Sequence, residues 1–306
     1  MRTVFTQDNE IMSILSILAF VVLGSAQDAF LGHLFVTEDP IAVVFFTFLI
    51  AFIILQITFL TRKPNSLEQI VRNRSNLLLL NFITALNWIS FFVALKYIEP
   101  AIVGAISFSI GPAATTAFGP IFRPSGSRPP SSIWVCSIGV LLSSLFLAYC
   151  SISGHSAFKT TDTVMASFGV LLALISGIGM TLNTFVSKAL SESDLTTQSI
   201  TAFRFIVLVL LSGVLSISNG SSLSSLSLPV SLSIMAVAVF GIVVPMTLIQ
   251  IGVKGSEPRL VSALLALTPA TTLIFETMDA RLALSPLSVV GIVLLCGFAV
   301  AEAVSQ

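Results

Sequence analysis

The chain has 306 residues, of which 55% are hydrophobic and 9% are charged, and its formal net charge is zero. Soluble domains contain about 25% charged residues, so this composition excludes a water-soluble globule and indicates a polytopic membrane protein. The zero net charge gives no basis for a nucleic-acid partner. The three cysteines lie inside apolar runs and form neither a disulfide framework nor a metal-binding pair.

Ten apolar segments follow one another along the chain, each close to the length of about 20 residues that crosses a bilayer. Spans 1 to 10 are predicted at roughly 11–35, 40–60, 76–98, 100–122, 131–150, 165–189, 197–218, 229–252, 258–279 and 285–304. The pattern predicts an all-α integral membrane protein with ten transmembrane helices.

A short motif occurs twice and divides the chain into two related halves. A K-x-x-E-P turn occupies residues 96–100 and again 254–258, and Pro112 of span 4 has a counterpart, Pro269, 157 residues later. We therefore predict two five-helix repeats, residues 1–158 and 159–306. Because five is odd, the second repeat is inverted in the membrane, and such repeats place a site near the midplane between the halves.

The lysines and arginines predict the orientation. With the N-terminus inside, ten of the 14 lie on the inner side, three lie on the outer side, and Arg204 lies within span 7. An excess of Lys and Arg marks the cytoplasmic side, so both termini are predicted to be cytoplasmic. The turn pairs Lys96/Glu99 and Lys254/Glu257 are interpreted as exposed and mainly structural, because exposed pairs contribute about 0–1 kcal/mol; a gating role is the alternative.

Two ionisable side chains stand out inside apolar sequence, Asp28 in span 1 and Arg204 in span 7. A charge at the bilayer centre costs about 2.5–3.5 kcal/mol on insertion scales, which makes such residues functional candidates. Asp28 could bind a substrate amine or carry a proton, or it could be a solvated carboxylate at the outer mouth. Arg204 could hold a substrate carboxylate, or it could extend to the headgroups.

Polar and aromatic side chains nearer the predicted midplane complete the candidate binding site. The additional candidates are Gln27, Asn87, Trp88, Phe91, Thr181, Asn183 and Gln250. Interhelical hydrogen bonding by Asn87 and ordinary ring packing are the alternative interpretation. No cofactor or metal site is expected.

Three prolines inside spans, Pro112, Pro245 and Pro269, are predicted to bend their helices. A proline within a helix removes a backbone hydrogen bond and bends the helix. Pro112 and Pro269 lie at matching depth in related spans, so they are predicted to act either as paired hinges or as fixed bends needed for packing.

Further motifs accompany the repeat, one in both halves and two in the second half only. They are Pro129 and Pro286, seventeen residues after Pro112 and Pro269; the Ser-Pro at 285–286 followed by Gly291 and Gly297; and Phe-Arg-Phe at 203–205. In this arrangement the chain resembles the ten-span, EamA-type members of the drug/metabolite transporter superfamily over nearly its whole length. The resemblance implies secondary transport of a small metabolite across the cell (inner or plasma) membrane, most often export of an amino acid or a related polar compound. It also implies that the driving force is a proton gradient or the substrate's own gradient.

Other classes fit the sequence less well. An intramembrane metalloprotease would need H-E-x-x-H, whereas the chain has only His33 and His155, far apart and at span ends. A channel would need matched polar groups along one pore, while an inverted repeat with bent helices favours alternating access. Broader efflux of drugs or of a metallophore, and import, stay open alternatives.

Overall fold

The computed structural model describes residues 7–62, 65–122, 130–157, 162–193, 195–218, 227–279 and 284–305. The predicted boundary between the halves after residue 158, and Pro129 at the start of span 5, lie outside these residues. The described residues form helices and turns without a strand, and the all-α prediction is confirmed.

The helices follow the predicted spans in order. They are α1 (Gln7–Leu34) for span 1, α2 (Pro40–Arg62) for span 2, the short α3 (Leu67–Arg72), α4 (Arg74–Tyr97) for span 3, α5 (Pro100–Phe122) for span 4, α6 (Ser131–Ile152) for span 5, α7 (Thr163–Glu192) for span 6, α8 (Thr197–Phe203) with α9 (Ile206–Ser218) for span 7, α10 (Leu228–Ala236) with a π-helix (Val237–Val243) and α11 (Val244–Gly255) for span 8, α12 (Pro258–Leu265) with α13 (Thr268–Glu276) for span 9, and α14 (Pro286–Val304) for span 10.

Nine of the ten predicted spans are long and apolar enough to cross a membrane, counted over the described residues. The tenth, Pro286–Glu302, is a shorter apolar helix over its described part. The molecule is therefore an all-α integral membrane protein.

Spans 7, 8 and 9 are irregular, whereas the first-half spans that the repeat pairs with them, spans 2, 3 and 4, are each one continuous helix. Pro112 lies inside the continuous α5, but its counterpart Pro269 lies in the first turn of α13, just after a break at residues 266–267. Pro245 follows the π-helix, and its ring would collide with the carbonyl of Gly241 in a regular α-helix. The π-helix widens the backbone at this point. A hinge role for the prolines stays a prediction.

Small residues bring the two halves into close contact. A Cβ at Gly111 of α5 would lie 3.0 Å from Cβ of Ser262 in α12, and one at Gly104 would lie 3.9 Å from Cγ of Pro269. Residues without bulky side chains let helix backbones approach closely in membranes. The two glycines of span 4 therefore let its backbone approach span 9 closely.

Successive spans run in opposite directions, which gives the bundle two ends. We call the end where α4 leads into α5 the Glu99 end, and the end where α7 finishes and α12 begins the Lys188 end. At the latter, Nζ of Lys188 donates hydrogen bonds to the carbonyls of Val253, Lys254 and Ser256, at 3.1, 2.9 and 3.0 Å. A cation at the last carbonyls of a helix is favourable, so Lys188 fixes the end of α11.

The interpretation of Glu99 as an exposed residue is wrong. Its side chain is 0% exposed. Oε2 accepts hydrogen bonds from the backbone N–H of Ala157, at 2.8 Å, and from Oγ of Ser288, at 3.1 Å. The segment after α6 and the start of α14 cover the turn, so Glu99 binds neighbouring elements instead of facing water.

Candidate functional site

A cavity of about 770 Å³, including its opening, lies between the two halves of the bundle. Eight of the nine predicted binding residues line it: Gln27, Asp28, Asn87, Trp88, Phe91, Asn183, Arg204 and Gln250. The ninth, Thr181, is not part of the lining, and its Oγ1 donates to the carbonyl of Gly177 in its own helix, at 2.9 Å. The structure thus brings together residues from five spans, while their role in binding stays a prediction.

Asp28 is the acidic residue of the cavity wall. It lies in α1, about one and a half turns before the helix ends at the Glu99 end, and only 4% of it is exposed. No lysine or arginine among the described residues forms an ion pair with it. The alternative of a solvated carboxylate at the mouth is therefore wrong, and the cavity contains a buried acidic group without a cationic partner.

Arg204 is the basic residue of the wall and lies at the break between α8 and α9. Only 5% of the residue is exposed, and its Nε has no hydrogen-bond partner. The guanidinium carbon is 5.6 Å from the centre of the Phe205 ring, within the range of a cation–π contact. Arg204 does not extend to the headgroups, and its guanidinium N–H groups can serve a ligand.

The break that presents Arg204 is held open by side chains of the first half. Nδ2 of Asn81 donates to the carbonyl of Phe203 at 2.6 Å, and its Oδ1 accepts from the N–H of Val207 at 3.2 Å. These two backbone groups would bond to each other in a continuous helix, so the amide is inserted into one helical hydrogen bond. Nε2 of Gln56 similarly donates to the carbonyl of Ala202 at 2.6 Å.

An aromatic cluster fixes the other side of the same break. The ring of Phe205 is fully buried and lies 5.1 Å from the ring of Phe48, which lies 5.0 Å from Trp88. Aromatic pairs at such distances contribute about 0.5–1.5 kcal/mol beyond their burial. Phe205 thus anchors the chain directly after Arg204, and Trp88 forms both cavity wall and core.

The two asparagines of the wall are oriented by hydroxyl groups on neighbouring helices. Oγ of Ser176 donates to Oδ1 of Asn87 at 2.7 Å, and Oγ1 of Thr84 donates to Oδ1 of Asn183 at 3.0 Å. Both bonds join α4 to α7. Asn87 therefore does make an interhelical hydrogen bond, which was the alternative interpretation. This bond uses Oδ1, so the Nδ2 group of each asparagine stays available to a ligand in the cavity.

Span 8 determines where the two glutamines of the cavity wall lie. A Cβ at Gly241 would lie 2.5 Å from Oε1 of Gln27, so the π-helix and its glycine make room for this side chain. One helical turn after Pro245, Nε2 of Gln250 donates to Oγ of Ser191 in α7 at 3.2 Å. The irregular segment of span 8 thus places two amides beside the cavity.

Several lining residues were not predicted from the sequence. Thr184, Ser187 and Thr268 contribute hydroxyl groups, and Oγ1 of Thr268 has no hydrogen-bond partner. Thr268 lies directly before Pro269, where the helix restarts. The proline was a usable signal for this position, whereas Thr184 and Ser187 look like ordinary small residues of a membrane helix.

The fold and the cavity together define the class of protein: a membrane protein with an internal cavity of the size of a small-molecule site. A bundle of membrane-spanning helices encloses a partly polar cavity that carries one buried acid, one buried base and four amides, in the size range of small-molecule sites. Residues 167–301 match the model of the EamA-like transporter family. Over these residues the chain is similar to that family, and the predicted resemblance to the drug/metabolite transporter superfamily is confirmed there. This similarity indicates a membrane transporter of the drug/metabolite type.

A comparison with solved structures supports the fold. One crystal structure superposes with a TM-score of 0.69 and 16% sequence identity, and the match covers 97% of this chain and 98% of the other. At this identity the likeness concerns the fold alone. No curated protein sequence matches significantly.

Proposed function

We propose that the protein is a secondary active transporter that exports a small zwitterionic metabolite, such as an amino acid, by alternating access. One observation carries this proposal: a single cavity contains a buried carboxylate and a buried guanidinium, neither of which has an ion-pair partner among the described residues. A ligand with an amine and a carboxylate would neutralise both groups.

The placement of the two charges supports a defined orientation of the ligand. Asp28 belongs to the half of the cavity nearer the Glu99 end, and Arg204 follows the seven-residue α8 from the Lys188 end. The ligand's amine would face Asp28 and its carboxylate Arg204, where a guanidinium binds carboxylates in bidentate fashion. The Nδ2 groups of Asn87 and Asn183 would donate to the ligand's other polar atoms.

The irregular spans support the alternating-access part of the proposal. Breaks and π-turns are positions at which a helix bends without loss of regular hydrogen bonds elsewhere. Spans 7, 8 and 9 all carry one, and all three contribute to the cavity wall. Movement of these spans against α1, α4 and α7 would open the site to one side at a time.

The charges at the two ends support an orientation in the cell (inner or plasma) membrane with both termini cytoplasmic. Arg62, Arg72, Arg74, Lys188, Lys254 and Arg259 lie at the Lys188 end, and Lys96 lies at the Glu99 end, within the described ranges. Under the positive-inside rule the Lys188 end is cytoplasmic. Fusions of a periplasm-active enzyme and of a fluorescent protein to the C-terminus test this directly.

The function is tested by counterflow of amino acids in proteoliposomes. Asp28→Asn and Arg204→Gln should each weaken binding by about 1.5–3 kcal/mol, the contribution of a hydrogen bond to a charged group, or roughly 10- to 100-fold in Kd. Glu68→Gln and Arg72→Gln on the exposed α3 are matched controls and should transport normally. Saturable counterflow of apolar drugs alone would favour broad efflux, a conductance that does not saturate would favour a channel, and unchanged transport by Arg204→Gln would refute the proposed carboxylate contact.

A further inference from the structure

Two buried glutamates lie at the Glu99 end beyond the cavity wall. Glu99 precedes α5 and Glu276 ends α13, and they are 0% and 2% exposed. Oε1 of Glu276 accepts a hydrogen bond from the N–H of Ala101, in the first turn of α5, at 2.8 Å. Oε1 of Glu99 and Oε2 of Glu276 have no hydrogen-bond partner. Each carboxyl group therefore has one engaged oxygen and one unengaged oxygen.

The two carboxyl groups are close enough to interact electrostatically with each other. Ala101, which donates to Glu276, is two residues from Glu99, so both groups meet at one turn. The titratable groups that interact with the pair from adjoining elements are Asp28 of α1, Asp279 beyond α13 and the Cys150 thiol of α6. His33 lies 3.3 Å from Asp279, and no lysine or arginine forms an ion pair with either glutamate among the described residues.

Two negative charges at this place would be costly. A buried charge needs a partner, and adjacent carboxylates do not both ionise readily, so one proton is retained between them. Burial raises the pKa of Glu99 above its ordinary value of 4.5, against the lowering effect of the bonds from Ala157 and Ser288. A metal ion is the poorer occupant, because the described residues contain no group of three or more His, Cys, Asp or Glu side chains that could hold one.

We propose that Glu99 and Glu276 together bind one exchangeable proton, and that this pair couples transport to a proton gradient. The coupling rests on the proposed transport function, whereas the proton site itself does not. Protonation forms an O–H bond at the unengaged oxygen of Glu276, and deprotonation releases H⁺ and restores the carboxylate without further chemistry.

The geometry gives the proton a mechanical effect. An ionised Glu276 caps the N-terminus of α5, where a negative charge is stabilised by the helix dipole, and this contact ties span 9 to span 4. A protonated Glu276 makes a weaker, neutral hydrogen bond with Ala101. Proton binding therefore loosens span 9 at the Glu99 end, close to Asp28 in the cavity.

The proton site can be tested without transport. Infrared difference spectra of the purified protein, recorded during a pH titration in H₂O and D₂O, should show the C=O stretch of a protonated carboxyl group. The band should be lost or strongly reduced in Glu276→Gln and in Glu99→Gln, and unchanged in the exposed control Glu68→Gln. A band whose amplitude is undiminished in both single variants would overturn the proposal, as would a titration that shifts with added Na⁺ or Ca²⁺.

Coupling is tested in proteoliposomes with an imposed pH gradient. Wild-type protein should accumulate substrate several-fold, and Glu276→Gln should lose this accumulation while exchange of labelled for unlabelled substrate continues. Accumulation by Glu276→Gln at the wild-type level would refute the coupling. Absence of all transport in the wild type, with the carboxyl band present, would refute the proposed function and leave the proton site standing.

Discussion

The amide of Asn81, inserted into the backbone of span 7, makes the position of Arg204 depend on a side chain from another helix. Asn81→Leu keeps the approximate volume and removes the bonds to Phe203 and Val207, together with a bond to the carbonyl of Leu77 in its own helix. If the break persists, two buried backbone groups lose their partners at about 1–3 kcal/mol each, a destabilisation of about 2–6 kcal/mol. If the helix closes, the two groups bond to each other, stability recovers, and Arg204 leaves its place in the cavity wall.

Two measurements on the same variant separate these outcomes. Thermal inactivation in detergent reports the stability, and ligand binding to the purified protein reports the position of Arg204. We expect a large fall in stability or a fall in affinity of about the size produced by Arg204→Gln. Asn73→Leu is the control, since Asn73 donates a single local bond to the carbonyl of Gln69. Wild-type stability together with wild-type affinity in Asn81→Leu would refute the role assigned to the amide.

Three further changes test the packing, the π-helix and the buried turn. A Cβ at Gly179 would lie 3.2 Å from Cα of Asn87. Gly179→Val should therefore lower the free energy of unfolding by about 1–3 kcal/mol, as overpacking does, and thermal inactivation measures this loss. Pro245→Ala restores an N–H that can bond to Gly241, so stability should be kept or increased while ligand affinity falls. Burial raises the pKa of Glu99 above its ordinary value of 4.5. Its contribution to the free energy of unfolding is therefore fully present below pH 4.5 and is lost as the pH rises through the raised pKa. Glu99→Gln should make this loss of stability with pH smaller in thermal inactivation assays.

Each of the three has a result that would contradict it. Unchanged stability in Gly179→Val would show that α4 and α7 separate without cost. Unchanged affinity in Pro245→Ala would show that the cavity does not depend on the π-helix. A pH profile of Glu99→Gln that is identical to the wild type would assign the pH dependence to other groups.

The spans and most of the wall could be predicted because their signals are local. A charge within an apolar run is visible in the sequence, which identified Asp28 and Arg204. Amides in similar runs identified Asn87 and Asn183. Thr181 has the same composition signal, but its position on α7 turns it out of the cavity lining, and the rotation of a helix about its axis is set by packing with other helices.

The broken helices could not be predicted, because their causes lie far away in sequence. Nothing within residues 197–218 indicates a break at Arg204, since it depends on Gln56 and Asn81 from spans 2 and 3. For the π-helix a local signal existed in Gly241, four residues before Pro245. The burial of Glu99 depends on Ala157 and Ser288, and its turn looks like an exposed one when read alone.

The inserted amide also bears on how independent the two repeats are. The second half contains Arg204 and residues of spans 6 to 9 that line the cavity, yet the groups that hold its span 7 open belong to α2 and α4. A second half on its own would have no donor for the carbonyls of Ala202 and Phe203, and its span 7 would be free to close into one continuous helix. The second half therefore does not form its span 7 alone: side chains of the first half supply part of the scaffold that shapes it.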